Sequence, residues 1–164
     1  MCQERDRYSA NDGYYTLTFL ASAAQRVIAC EPGAAAEQLL RNAAANGHAR
    51  GGRFEIERRS VGAHANEVSL RALLQGLPGP VLIKMDIDGG EVNALRTAIG
   101  MNLHNTFWVV ETHSPDLERE CISWFIYHGF KTSVIDHAWW RRIVPELRPG
   151  AQNRWLVAEP PGQE

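Results

Sequence analysis

Ala10-Asn11-Asp12-Gly13-Tyr14-Tyr15-Thr16, followed by Val27-Ile28-Ala29-Cys30-Glu31-Pro32, is the stretch that decides the fold. A short turn containing glycine opens a helix, an apolar strand comes next, and an acidic residue closes that strand 18 positions after Gly13. A nucleoside-binding α/β domain requires this order. The turn lets backbone approach the ligand, and a carboxylate at the end of the second strand accepts hydrogen bonds from ribose hydroxyls. Only one of the three usual glycines is present, so the weight comes from the motifs farther along the chain and their distances.

Working outward, short apolar runs alternate with longer helical stretches. Residues 14–24 read as a helix and 26–30 as a buried strand. Residues 34–46 form an Ala/Leu-rich helix bounded by Pro32-Gly33 and Gly47. Residues 54–57 alternate as a strand does, and 67–74 suit a short helix. The run 80–86 is nearly continuous in apolar residues, as expected of a parallel strand covered on both faces. A helix over 90–99 places Leu95 and Ile99 at i, i+4. Residues 106–112 read as another buried strand, 116–128 as an amphipathic helix ended by Gly129, and 131–135 and 154–158 as two last strands around the loop 145–150. The closing pair lacks a helix between its strands. This pattern predicts one α/β sandwich, its sheet mostly parallel with an antiparallel edge.

Composition narrows the function classes. With 164 residues the chain suffices for one domain, 1–164, with 160–164 a loose tail, and leaves no room for a second substrate domain. The balance of 17 basic against 19 acidic residues gives net charge −2, which argues against a nucleic-acid partner. Arg58-Arg59 and Arg141-Arg142 read as solvated strand and loop ends. No apolar run approaches the roughly 18 residues of a membrane span, so no membrane partner is expected. Cys2, Cys30 and Cys121 are odd in number and far apart, which suits reduced thiols in a cytoplasmic protein.

Three stretches together resemble the FkbM-type S-adenosylmethionine-dependent methyltransferases. The turn Ala10–Thr16 is similar to that family's Gly-Ala-Asn-x-Gly turn. Val27–Pro32 is the second, with Leu39-Leu40 and Asn42 to Gly47 behind it. Ile83-Lys84-Met85-Asp86-Ile87-Asp88-Gly89-Gly90-Glu91 looks like the signature Ile-Lys-Ile-Asp-Val-Glu-Gly-Ala-Glu and is the most specific. Val110-Glu111-Thr112-His113 and Gly129-Phe130 also fit. The resemblance runs from about Ala10 to Ala158. It implies a Rossmann-like class I methyltransferase sandwich of seven strands in the order 3-2-1-4-5-7-6, with S-adenosylmethionine across the carboxyl ends of the first strands. In one place the chain departs from the pattern. Where an apolar first strand should stand, residues 1–8 carry Arg5, Asp6 and Arg7, and Ser9 replaces the first glycine. The expectation is a first strand that is degenerate, short or truncated.

The resemblance assigns Asn11, Gly13, Tyr14, Glu31 and Pro32 to the cofactor, with Ser60 and Val61 near the adenine on topology alone. Each of these positions also has an ordinary reading as a turn or strand end. Asp86 ends a buried strand, where an unpaired charge is costly without a reason. It is assigned to the cofactor edge and to the acceptor as base or orienting group. Glu91, opening the next helix, is explained equally well by the helix dipole. Alternation puts Glu111 and His113 on one face near Asp86, which makes His113 a candidate general base. Asp86, Asp88, Glu111 and His113 form an oxygen-rich set that suits magnesium. No spacing there is diagnostic, and the preferred reading carries no metal. His48, His64, His104, His128 and His137 read as solvated. Trp139-Trp140 either lines an acceptor pocket or covers the sheet edge, and an exposed edge there would permit a homodimer.

The expected function is O-methylation of a hydroxyl on a sugar, glycan or natural-product small molecule. The alternative is a degenerate, non-catalytic binding or interaction module. A nicotinamide dehydrogenase shares the acidic strand end but leaves the Asp86–Glu91 motif unexplained.

Overall fold

The computed structural model describes residues 10–49, 51–136 and 154–161. In chain order the elements are α1 (Tyr14–Ala21), β1 (Val27–Cys30), α2 (Ala35–Ala45), β2 (Phe54–Glu57), α3 (Leu70–Leu74), β3 (Val81–Met85), α4 (Glu91–Arg96), β4 (Thr106–Thr112), α5 (Pro115–Tyr127), β5 (Lys131–Ile135) and β6 (Arg154–Glu159). They fall into two compact units, Met1–Val68 and Ser69–Glu164.

In the first unit β1 and β2 pair in parallel, from Val27 opposite Phe54 to Cys30 opposite Glu57, and α2 makes the crossover. The apolar positions of α2 recur at helical spacing. Ala36, Leu39 and Ala43 are fully buried against Leu20, Val27, Ala29, Phe54 and Ile56. Full burial of a side chain such as Leu39 or Phe54 contributes about 1.5–3 kcal/mol. The α1 start packs on this core through Gly13. Its φ is 103°, and a Cβ there would lie 2.4 Å from Leu39 Cδ1. Glycine is required both for the left-handed backbone and for the close approach of turn to helix. The side-chain amide of Asn42 donates to the Asp12 carbonyl at 2.7 Å and fixes the same turn from α2.

In the second unit the strand order is β3-β4-β6-β5, with β3 and β4 parallel and both pairs involving β6 antiparallel. Alternation along β4 turns Thr106, Trp108, Val110 and Thr112 to a buried face, which α5 covers. Trp108, Trp124 and Phe125 meet edge to face, with centroids 5.2–6.4 Å apart. The Trp108 ring N–H donates to Thr106 Oγ1 at 2.8 Å, so the buried indole leaves no polar atom unanswered. Helix α5 begins at Ser114, whose hydroxyl accepts from the Leu117 N–H, with Pro115 next in the chain. It stops where Gly129, at φ 83°, turns the chain. There the Phe130 and Gly129 N–H groups donate back to the Phe125 and Ile126 carbonyls. The Arg154 guanidinium grips buried Glu118 with two donors and Asp136 with a third, joining α5, β6 and the end of β5.

Several expectations need correction. The described residues carry six strands in sheets of two and four, and residues 1–8, where the first of seven strands was expected, lie outside them. The residues around Trp139 and the loop 145–150 also lie outside. Strand β3 is not covered on both faces, since Leu82 is 54% exposed. It pairs with β4 on one side, and no second strand pairs with it among the described residues. Helix α4 stops at Arg96, and Ile99 beyond it is exposed. His128, expected to be solvated, stacks on Trp124 at 3.9 Å.

These contacts have two consequences for stability. Gly13→Ala forces a methyl group against Leu39 in a left-handed turn and should lower stability by about 1–2 kcal/mol in a denaturant titration. Arg154→Leu leaves the Glu118 carboxylate without its cation and should lower the denaturation midpoint by the same measurement.

Candidate functional site

The fold gathers polar side chains in two places, one in each unit. In the first unit, Glu31 comes directly after β1 and its residue is 0% exposed. The Asn11 N–H donates to Oε2 at 2.7 Å and the Gly33 N–H to Oε1 at 3.3 Å. The Glu31 N–H in turn donates to the Glu57 carbonyl at 2.9 Å, extending the β1–β2 ladder by one step. One carboxylate therefore ties the turn before α1 to the end of β1 and the start of the next loop. Asn11 takes the left-handed conformation, φ 48°, that aims its N–H there. The expected role of Glu31 is thus only half visible. It sits with Asn11 and Gly13 as expected, but its donors are backbone amides. A ribose could reach it only if the turn or Gly33 moved. Each oxygen keeps a further lone-pair direction for such a ligand.

The other expected residues of this unit are scattered in exposure. Tyr14 is 73% exposed and meets Tyr15 edge to face at 5.2 Å. Pro32 is exposed. Ser60 and Val61 are half-buried after β2. The Ser60 carbonyl accepts from the Val68 N–H, and Val61 bridges Val68, which turns that loop back on itself. Burial pushes the Cys30 thiol up to about 12, which makes it an inert core group.

The second group stands where β3 and β4 end, entirely within the second unit. Met85 pairs with Val110, so Asp86 and Glu111 come next on neighbouring parallel strands. His113 Nε2 is 3.6 Å from Asp86 Oδ1 and 3.2 Å from Asp88 Oδ1. Its Nδ1 is 3.5 Å from Glu91 Oε1, an approach whose geometry does not complete a hydrogen bond. Glu91 is 0% exposed. Its Oε1 accepts from the Gly89 N–H at 3.2 Å and the Ile87 N–H at 3.4 Å, and its Oε2 is buried without a partner. Lys84 places its ammonium 2.9 Å from Asp86 Oδ2 and 5.4 Å from the centre of the Trp155 ring.

The charges shift one another. The Glu91 carboxylate is the main cause that raises the His113 pKa, with Asp88 and Asp86 adding to it against partial burial. Burial, and then the neighbouring Asp86, push Glu111 up to about 7. The arrangement can hold a proton near neutrality and hand it on. Asp86, Asp88 and His113 also bring one ligand atom each within 4.8 Å of one another, a donor set for a divalent cation. The Lys84 ammonium on Asp86 already supplies positive charge there and would repel a second cation. Asp86 and His113 were expected together from alternation alone. Glu91 was read equally well as a dipole effect, and only its complete burial beside His113 gives it a second part.

Among the described residues, no helix is long and apolar enough to cross a membrane. No family model matches the chain, and no curated protein matches it. Solved structures do match. The chain is similar to an S-adenosylmethionine-dependent O-methyltransferase of Thermotoga maritima, with TM-score 0.58, 10% identity, and coverage of 94% of this chain and 58% of that one. It is similar to an rRNA methylase of Streptococcus thermophilus, with TM-score 0.56, 13% identity, and coverage of 96% and 89%. It is also similar to a ribosomal protein L11 methylase of Lactobacillus delbrueckii subsp. bulgaricus, with TM-score 0.58, 11% identity, and coverage of 92% and 66%. The chain thus has the class I fold of S-adenosylmethionine-dependent methyltransferases and spans little more than half the length of the Thermotoga enzyme.

These neighbours overturn the expectation of a small-molecule hydroxyl acceptor and no nucleic acid, because proteins that act on ribosomal RNA and ribosomal protein stand among them. The physical reason is that net charge sums over all faces, and a chain at −2 can still present a local face of either sign.

The shift on Glu111 has a signed consequence. In the fold it keeps its proton up to about 7, whereas an unfolded chain releases it near 4.5. Its contribution to stability is therefore full below 4.5 and lost as pH rises through about 7. Glu111→Gln should flatten that decline and raise stability at pH 8 by on the order of 1 kcal/mol, after allowance for solvent screening, in thermal melts across pH 4–9.

Proposed function

We propose that this chain is the S-adenosylmethionine-binding domain of a methyltransferase whose acceptor belongs to a macromolecule, RNA or protein. The observation that carries the reading is the Glu31 junction. A glycine turn, a helix start and a strand end meet on one carboxylate, in a chain that has the fold of these enzymes. The Ile83–Glu91 run supports FkbM-type kinship on the donor side. The rRNA and ribosomal-protein methylases among the neighbours support the acceptor class.

In the proposed reaction the acceptor's lone pair attacks the sulfonium methyl carbon in line. The new bond forms as the sulfur–carbon bond breaks, S-adenosylhomocysteine leaves, and the acceptor's proton must go to a base. The donor is already activated, so the protein's task is alignment, exclusion of water and proton removal. Glu31 and the Asn11–Gly13 turn are the donor-binding residues, with Tyr14, Pro32, Ser60 and Val61 around them. His113 takes the proton at Nε2, and the Asp86 and Asp88 carboxylates stabilise the imidazolium that forms. Asp86 also orients the acceptor.

Calorimetry with S-adenosylhomocysteine tests the donor half, with micromolar binding expected. Glu31→Gln should weaken it by about 1–3 kcal/mol. Methyl transfer from labelled donor to total RNA and to ribosomal protein, assayed separately, tests the acceptor. Asp86→Asn should lower turnover by about 100-fold or more while donor affinity holds. Absence of any donor binding at high protein concentration would point to a non-catalytic module instead.

A further inference from the structure

Glu91 is a buried ionisable group to which the proposed reaction gives no task. It opens α4 and is 0% exposed. One of its oxygens accepts from two backbone N–H groups, and the other is buried with no partner. His113 Nδ1, likewise buried and without a hydrogen-bond partner, lies 3.5 Å from Oε1, the oxygen that holds the two amides. A buried ring nitrogen left unanswered this close to a buried carboxylate is uncommon, since buried polar groups are nearly always paired. Catalytic hydrogen bonds are often long before substrate binds and tighten afterwards.

We propose that Glu91 is a positioning residue that holds His113 as the Nδ1–H tautomer, so that Nε2 is the nitrogen that receives the acceptor's proton. The inference deepens the methyltransferase reading and rests on it for the identity of the proton donor. The geometry is that of a base oriented from behind by a carboxylate, where the orienting group selects tautomer and ring direction. Among the described residues, the other charged and titratable groups packed around the ring do not compete for Nδ1. Asp86 and Asp88, from the β3–α4 connection, face Nε2 at 3.6 and 3.2 Å. From β4, Glu111 acts on His113 only as a nearby charge. Lys84, from β3, is committed to Asp86 at 2.9 Å. From α5, the Cys121 thiol is pushed up to about 12, chiefly by burial, and stays neutral.

The proton balance is closed within this set. Nδ1 keeps its proton toward Glu91 throughout, Nε2 gains the acceptor's proton, and the resulting imidazolium lies between three carboxylates. The ring then returns the proton to solvent from its Nε2 edge, on a side chain that is 23% exposed.

Long-range proton–nitrogen correlation spectra of the full chain with labelled histidine read the tautomer directly. In the native sequence, neutral His113 should be the Nδ1–H form. A predominant Nε2–H form would overturn the proposal without any variant. Glu91→Leu should lose the preference, and Glu91→Gln should keep it, because the amide oxygen still accepts, while the midpoint of the His113 titration falls. Asp88→Asn, which weakens an acceptor that faces Nε2, should not diminish the Nδ1–H preference, and its loss there would overturn the assignment to Glu91. In transfer assays, Glu91→Gln should lower kcat about tenfold with the KM for the donor unchanged. A titration midpoint unmoved in Glu91→Gln would sink the idea even if that variant methylates normally. If the chain binds no S-adenosylhomocysteine while the tautomer behaves as described, the methyltransferase reading fails and the Glu91–His113 pair stands.

Discussion

A carboxylate taken out of water must be answered where it lies, and this constraint organises both units of the chain. Three glutamates, Glu31, Glu91 and Glu118, are exposed by 5% or less. Each lies close to a strand end or a helix start, the places where backbone N–H groups lack regular partners. Glu31 is answered by the amides of Asn11 and Gly33, and Glu91 by those of Ile87 and Gly89. Glu118 is answered by the Arg154 guanidinium and approached by the Thr112 hydroxyl. Each anion thereby converts a loop that could wander into a fixed corner, because moving the loop would leave a buried charge unpaired.

The three are not equivalent, and the difference separates scaffold from chemistry. Glu118 is matched by a cation with a fork of donors, and nothing is left over. Glu31 has a donor on each oxygen from the main chain, and its remaining lone-pair directions are the part a ligand could use. Glu91 has both of its donors on Oε1, which also lies 3.5 Å from the bare Nδ1 of His113, and its Oε2 has no partner. A protein that needed only stability would answer that oxygen with another amide or replace the glutamate with an apolar residue. An incomplete pairing held in place by complete ones is where the proposed chemistry has room to act.

How far this was legible from the residues depends on what kind of partner each group has. The strands and helices came out of apolar period and of glycine and proline punctuation, so β2, β4 and β5 begin and end where the pattern does. The Asp86–His113 approach was also legible. Parallel neighbours and a period of two fix which strand-end side chains can meet. The partners of Glu31 were not legible, because a backbone amide has no sequence signature and its aim depends on one left-handed residue, Asn11. The exposure of Leu82 was hidden for another reason. An apolar run reports what a strand is made of but not what packs on each of its faces. His128 could have been placed by its spacing from Trp124, which sets the two rings on one helix face, but polarity led to the solvated reading.

Lys84 decides what the second cluster is built to carry. Four carboxylates and an imidazole at two strand ends would, by composition, invite a divalent ion. The lysine side chain is only 9% exposed and its ammonium rests on Asp86, so one positive charge is fixed in the cluster by the chain itself. A dication brought to Asp86, Asp88 and His113 would be repelled by that ammonium in a setting where little water screens it. A proton carries one charge, occupies no coordination sphere, and can be held on Glu111 or taken up at His113 Nε2. With the fixed cation in place, an arrangement in which burial and then Asp86 hold a proton on Glu111 up to about 7 favours handling protons over holding metals. That is the capacity a transfer reaction with an already activated donor still asks of its protein.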